Sequence, residues 1–238
     1  MNILVTGGAS GLGLEIFETL SKAGHSVSFT YSKSEEQAEK NLLQFPKSKK
    51  FKCDFTDSKS VNAFIEEIGG MDLEVLINNA LSSINAVQFQ KTVIDSLTES
   101  FNCNVIPVLK ITQACITNFR KKKRGRIISI LTSYLTNRPP IGYSEYVANK
   151  AYIHAMSKTW ANENSKFGIT VNCISPSIMN TPLNKSVDER LLENLAINNP
   201  FGQLLAPSEV ADIVNFLVSS PRQLNGCNLL INGGENVI

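Results

Sequence analysis

The chain has 238 residues, of which 42% are hydrophobic and 18% charged, and a formal net charge of +2. That length fits one α/β domain whose core needs no metal or disulfide staple, and the composition is that of a globular protein rather than a disordered one. A charge so near neutral argues against a partner among nucleic acids or membrane surfaces.

Taken from the N-terminus, residues 2–6 read as a buried strand, because Ile3-Leu4-Val5 is apolar throughout, as a strand covered on both faces should be. Thr6-Gly7-Gly8-Ala9-Ser10-Gly11-Leu12-Gly13 follows, and then the amphipathic pattern of a helix over 11–23. Glycines at such a place let the backbone turn sharply and approach a pyrophosphate, while the helix N-terminus offers free N–H groups and positive potential. The G-x-x-x-G-x-G spacing differs from the commoner G-x-G-x-x-G fingerprint, and a purely structural turn can also be rich in glycine. Its position after the first strand of an alternating chain favours a cofactor site. The candidate contacts are Gly7, Ser10, Gly11, Leu12 and Gly13.

A second strand is predicted over 26–31. An acidic residue at its end would bind the ribose 2′-hydroxyl of NAD and repel a 2′-phosphate. The chain reads Thr30-Tyr31-Ser32-Lys33-Ser34 instead, with no carboxylate before Glu35. Tyr31, Ser32 and Lys33 therefore favour NADP over NAD, although Ser10 stands where an Arg or Lys would have strengthened the case. Ser32 and Ser34 also suit simple capping of a helix over 34–44. A third strand over 50–54 ends in Cys53-Asp54-Phe55-Thr56-Asp57. Asp54 could accept from an adenine amino group, with Phe55 beside it; an N-cap role for one of these aspartates, on a helix over 58–68, is an equal alternative. The fourth strand, 73–78, closes on Asn78-Asn79-Ala80 at the carboxyl edge, where open α/β sheets bind ligands. Two adjacent Asn side chains suit the fixing of cofactor loops better than a core.

One long helix is predicted over 97–120, closed by the basic run Arg120-Lys121-Lys122-Lys123-Arg124. Cations there complement a helix C-terminus, and no aromatic interleaving supports a nucleic-acid patch. A strand over 126–131 leads to Ser133, and a helix over 146–166 opens with Tyr146-Val147-Ala148-Asn149-Lys150. A spacing of four puts Tyr146 and Lys150 one turn apart on one helix face. A tyrosine with a pKa of roughly 10 is a poor proton donor or acceptor at neutral pH. A nearby ammonium, and the charge of an oxidised nicotinamide, are expected to lower that pKa. Such a group can protonate a carbonyl oxygen as hydride arrives, or take a proton from an alcohol. Ser133, thirteen residues before Tyr146, is expected to orient the substrate oxygen. The rest of the chain supplies a strand over 169–175, helices over 187–196 and 207–219, the latter opened by Pro207-Ser208-Glu209, and a strand over 227–231. The alternation predicts one domain over residues 1–238, with a doubly wound parallel sheet of about seven strands and helices on both faces.

Cys53, Cys103, Cys115, Cys173 and Cys227 are scattered, odd in number and never in a C-x-x-C pair, which reads as free thiols in a reducing compartment. His25 and His154 have no neighbours at metal-ligand spacing, so no metal site is expected. Without a secretory n-region or an apolar stretch of membrane-spanning length, a cytoplasmic location is expected, with no membrane partner.

These motifs, in this order, resemble the short-chain dehydrogenase/reductase family over essentially the whole chain. The resemblance rests on Thr6–Gly13, Asn78–Ala80, Ser133, Tyr146–Lys150, Val171-Asn172-Cys173-Ile174-Ser175-Pro176 and the closing Asn232-Gly233-Gly234. It implies a Rossmann-type fold, with Tyr146 as general acid/base and Lys150 binding the nicotinamide ribose while lowering the tyrosine pKa. Ser133 would hold the substrate oxygen. Asn104 would support a proton-relay water by distorting its helix; Asn102 is close by, but the following Val-Ile-Pro-Val favours Asn104. Asp54 would contact adenine, Thr181 the carboxamide and Ile178 the nicotinamide ring, with Phe55, Asn79, Ala80 and Pro176 also against the cofactor. Two departures stand on cofactor loops: Leu81 and Ser177 replace glycines that the family usually carries, which restricts the backbone there.

The segment Thr181–Phe201 is expected to cover the substrate; it mixes Asn184, Lys185, Asp188, Glu189 and Arg190 with Leu191, Leu192 and Leu195. Gly202 and the Pro207-Ser208-Glu209-Val210-Ala211 helix start are nearest the ketoacyl-carrier-protein reductase branch. Three readings follow: an NADP(H)-dependent ketone reductase or alcohol dehydrogenase, a nucleotide-sugar epimerase or dehydratase, and a non-catalytic dinucleotide sensor. The intact Asn104, Ser133, Tyr146 and Lys150 favour the first, on a small-molecule carbonyl or alcohol. The resemblance also implies a homo-oligomer, tetramer or dimer.

Overall fold

The computed structural model describes residues 1–181 and 189–235. Seven strands form one sheet: β1 (Asn2–Val5), β2 (Ser26–Tyr31), β3 (Lys49–Lys52), β4 (Val75–Asn78), β5 (Gly125–Ile130), β6 (Ile169–Pro176) and β7 (Asn228–Ile231). Their order is β3-β2-β1-β4-β5-β6-β7, and each neighbouring pair is parallel. β1 pairs with β2 on one side and β4 on the other, so the winding reverses there, and that reversal opens a crevice at the carboxyl ends of the strands.

The described helices are α1 (Gly11–Lys22), α2 (Glu35–Gln44), α3 (Ser58–Gly69), α4 (Ile94–Asn104), α5 (Ile106–Lys122), α6 (Ser144–Asn164), α7 (Glu189–Asn198) and α8 (Pro207–Ser219). Alternate side chains of the central strands go to opposite faces. Ile3 and Val5 join a core with Ile16, Phe17 and Val214 from α1 and α8, whereas Leu4 joins another with Phe64, Ile111 and Trp160 from α3, α5 and α6. Phe17 packs edge-on against Phe29 and Phe45, with ring centroids 4.7 and 5.4 Å apart, a geometry that adds to its burial. Among the described residues, no helix is long and apolar enough to cross a membrane.

The single helix expected over 97–120 is two. Val105 stands between α4 and α5 with φ −109° and ψ −53°, and Pro107 sits in the first turn of α5. A proline has no N–H for the carbonyl four residues earlier, here that of Cys103, so it suits a helix start and opposes a helix interior. The basic run is largely engaged. Lys122 pairs with Asp72, Arg124 lies 3.5 Å from Glu74, and the Arg120 Nε donates to Asn164 at 2.7 Å. The helix expected over 187–196 is described from Glu189; Asn184, Lys185 and Asp188 lie outside the described residues.

Candidate active site

The turn between β1 and α1 is built by close approaches that exclude side chains. A Cβ on Gly13 would lie 2.0 Å from the Gly7 carbonyl oxygen and 2.6 Å from the Asn79 amide nitrogen, and Gly7 and Gly11 have φ of +70° and +54°. Thr6 fastens this turn to β4. Its Oγ1 accepts from the Asn79 and Ala80 N–H groups at 2.9 and 3.0 Å, and the Asn79 amide donates back to the Thr6 and Gly7 carbonyls. Thr30 holds the other side, accepting from the Gly7 and Gly8 N–H groups at 2.9 Å. Asn79 thus ties the loop after β4 to the turn after β1. Asn78 differs, because its side chain turns into the core and donates to Thr112 at 2.9 Å.

Below this turn lies a cleft of about 450 Å³. Gly7, Ser10, Gly11, Leu12, Gly13, Tyr31, Ser32, Lys33, Asp54, Phe55, Asn79, Ala80, Tyr146, Lys150, Pro176, Ile178 and Thr181 all line it. The two departures from family glycine, Leu81 and Ser177, line it as well.

At the end next to β2, the Asp54 carboxylate accepts from the Thr56 N–H and hydroxyl at 2.9 and 2.8 Å and from the Ser32 side chain, which hold its pKa below the usual carboxylate range. The cap of α3 is Asp57, which accepts from the Lys59 N–H at 2.9 Å, so Asp54 is left facing the cleft. Ser34 precedes α2 without a side-chain capping bond. Glu35 is turned away, accepting from the Tyr31 hydroxyl at 3.1 Å with Lys50 at 3.5 Å. This end therefore presents Ser32 and Lys33, and its first carboxylate after β2 is already engaged.

At the other end, Lys150 is 6% exposed and its ammonium donates to the Ile130 carbonyl at 2.7 Å. Burial pulls its pKa down to about 8. Its Nζ lies 5.8 Å from the Tyr146 ring centroid. Tyr146 as a residue is half-buried, but burial of its hydroxyl pushes the pKa up to about 12, against the opposing hydrogen bond with Thr132. The direction is opposite to the lowering expected from Lys150 and an oxidised nicotinamide, and desolvation is its main cause.

Ser133 is a second correction. It is fully buried, does not line the cleft, and its hydroxyl has no hydrogen-bond partner. The hydroxyl that meets Tyr146 belongs to Thr132, which lines the cleft and caps the short 3-10 turn Ser133–Leu135 by accepting from the Tyr134 N–H at 3.3 Å. Thr132 is fourteen residues before Tyr146 rather than thirteen. The Thr132-Ser133 pair offered both hydroxyls, and only the backbone path after β5 separates them.

Asn104 ends α4 at the break before Val105, and its side chain accepts from the Ser82 N–H and hydroxyl, each at 2.8 Å. Ser100 then receives both the Asn104 and Asn149 amides, at 3.3 and 2.9 Å. This network ties the loop after β4 to the helix that carries Tyr146 and Lys150. Asn102 has no part in it. Sequence reasoning also missed Ile84, which lines the cleft, and Tyr134 and Tyr143, which line it beside Tyr146, Tyr143 standing edge-on to both other tyrosines.

Sheet order, glycine turn and the tyrosine–lysine pair together define a dinucleotide-binding oxidoreductase. A family model described as short chain dehydrogenase matches residues 1–192. The chain is 32% identical over 238 residues to the 3-oxoacyl-[acyl-carrier-protein] reductase MabA of Mycobacterium bovis, covering 98% of this chain and 92% of that protein. It is 30% identical to an acetoacetyl-CoA reductase from an Acinetobacter species, covering 97% and 96%. A solved short chain dehydrogenase from Burkholderia cenocepacia, in complex with NADP, superposes with a TM-score of 0.85 at 28% identity, covering 99% of this chain and 97% of that one. The chain belongs to the short-chain dehydrogenase family.

Proposed function

We propose that the chain is an NADPH-dependent reductase of 3-oxoacyl thioesters, converting the ketone to a secondary alcohol with Tyr146 as the general acid. One observation carries this reading: Tyr146, beside Thr132 and one helical turn from the buried Lys150, lines one end of a cleft whose other end is the glycine turn. The substrate class is supported by the named activities of the acyl-carrier-protein and CoA reductases to which the chain is similar.

The residues present fit a dinucleotide phosphate. Backbone N–H groups at Ser10, Gly11, Leu12 and Gly13 sit at a turn, opened by Gly7, that a Cβ on Gly13 would fill, suited to a pyrophosphate. Tyr31, Ser32 and Lys33 line the end where a 2′-phosphate would lie, with Asp54 and Phe55 where adenine would lie. Asn79, Ala80, Pro176, Ile178 and Thr181 continue the wall toward the nicotinamide. Bound NADPH supplies the hydride.

The chain's own groups manage the proton. With a pKa near 12, Tyr146 keeps its proton at neutral pH, the form that protonation of a reduced ketone oxygen requires. Thr132 donates to the same oxygen and fixes its place. Lys150, charged below about pH 8, offers its remaining N–H donors to ribose hydroxyls. The Asn104 side chain is spent on Ser82 and Ser100, so its part in a relay falls to its backbone carbonyl.

Oxidation of NADPH by acetoacetyl-CoA, followed at the nicotinamide absorbance, tests this reading. Tyr146→Phe should lower the rate by roughly 10³-fold while NADPH still binds; full activity in that variant overturns it. Tighter fluorescence-detected binding of NADH than of NADPH would overturn the cofactor assignment. We further place the protein in the cytosol as a tetramer or dimer. Five free cysteines support the first, with burial raising Cys53 and Cys115 to about 12 and Cys173 to about 11. A light-scattering mass of a monomer would remove the second.

A further inference from the structure

Leu205, beyond α7, forms a parallel bridge with Met179, which lines the cleft, so the chain after α7 is pinned beside the cleft wall. A second attachment is made by Glu235. One carboxylate oxygen accepts from the Asn199 amide at 3.0 Å, just past α7, and the other from the Asn137 amide at 3.1 Å. Asn199 is 8% exposed and its Oδ1 accepts from the Phe201 N–H at 2.9 Å, ending the helix in a turn. Asn137 belongs to the loop that follows Thr132, its N–H donating to the Ser133 carbonyl at 2.8 Å. Asn232 aims the carboxylate by accepting from the Gly234 N–H through its side chain, at 3.1 Å, and from the Glu235 N–H through its carbonyl, at 3.1 Å. The tail can pass this close because position 233 is glycine: a Cβ there would lie 3.0 Å from Asn199 Oδ1 and 3.1 Å from the Phe201 ring. The carboxylate is near enough to act electrostatically on Tyr134, which lines the cleft.

We propose that Glu235 is a positioning residue that latches the end of α7 to the loop after Thr132 and so steadies the Thr132–Tyr134 wall of the cleft, where the substrate would lie. A carboxylate has two acceptor edges and can hold two amide donors at once, which neither Asn can do for the other. The latch acts on substrate binding and not on cofactor or chemistry, because Glu235 touches neither the glycine turn nor Tyr146. This rests on the reading of the cleft as a ketone-reducing site.

The test uses the full chain with NADPH and acetoacetyl-CoA. Glu235→Ala should raise the KM for acetoacetyl-CoA about five- to tenfold, with kcat and the NADPH dissociation constant within about twofold of the parent. Glu235→Gln, which keeps one good acceptor, should fall between. Glu235→Ala combined with Asn137→Ala should raise KM by less than the product of the two single effects, since both cut the same latch. An unchanged KM, or KM, kcat and NADPH affinity all shifting together, overturns the proposal. Tryptic cleavage after Arg190 in the unliganded protein gives a readout independent of turnover. It should be several-fold faster in Glu235→Ala at unchanged melting temperature, and equal rates overturn the latch even if no ketone is reduced. Faster cleavage in a protein that reduces no ketone leaves the latch standing and removes the reductase reading instead.

Discussion

Thr132 and Ser133 are neighbours that the turn after β5 delivers into different surroundings, one lining the cleft and the other sealed without a hydrogen-bond partner. Thr132→Ala should therefore cost reduction of acetoacetyl-CoA roughly 10²-fold, the scale of losing one donor to a developing oxyanion. Ser133→Ala should stay within about twofold and leave the melting temperature equal or slightly higher, since an unpaired buried hydroxyl stabilises nothing. Paired kinetics on the two variants decide between the hydroxyls, and the reverse ranking would restore Ser133. Gly13→Ala is a different case. Its methyl would meet a backbone carbonyl held in a tight turn, and titration with NADPH should show affinity down by more than about tenfold.

The aspartates flanking the third crossover separate a structural role from a binding one. Asp57→Ala removes the cap of α3 and should cost about 1 kcal/mol of stability in denaturant unfolding, with NADPH affinity kept. Asp54→Ala should do the opposite. At this scale the strands were legible because a parallel sheet covered on both faces demands apolar runs such as Ile3-Leu4-Val5 and Val75-Leu76-Ile77. The glycine turn and the Tyr146–Lys150 pair were legible for a related reason, each being contained within one local stretch of backbone. The helix break at Val105 was legible only through the resemblance, which implied a distortion at Asn104; the hydrophobic period runs on through it, and Pro107 is as compatible with a new first turn as with an ending. The tyrosine pKa also escaped the sequence, since depth of burial is a property of the packed molecule.

Burial of Lys150 makes the stability of the whole protein depend on pH in a definite direction. The folded chain holds this amine with a pKa of about 8 against 10.5 for the free group, so between those values the unfolded chain binds more protons. Its contribution to stability is therefore full above about pH 10.5 and is lost as pH falls through about 8. Tyr146 acts oppositely above pH 10, where the folded chain keeps a proton that the unfolded chain gives up, and stability falls toward pH 12. The melting temperature of the unliganded protein should rise between pH 8 and 10 more steeply than that of Lys150→Met. Equal slopes would mean that the amine is not desolvated.

The two hydroxyls and the amine at this site are held by rulers of different stiffness. Tyr146 and Lys150 share one helix, so an inserted residue between them swings one of them about 100° around the axis and abolishes the pair. Thr132 and Tyr146 come from separate elements, joined by the loop through Asn137 and Gly142, and its length can change while both ends stay anchored. Counting residues is a measurement in the first case and a habit in the second. A search that fixes the interval across that loop will name the wrong hydroxyl whenever the loop is longer or shorter by one.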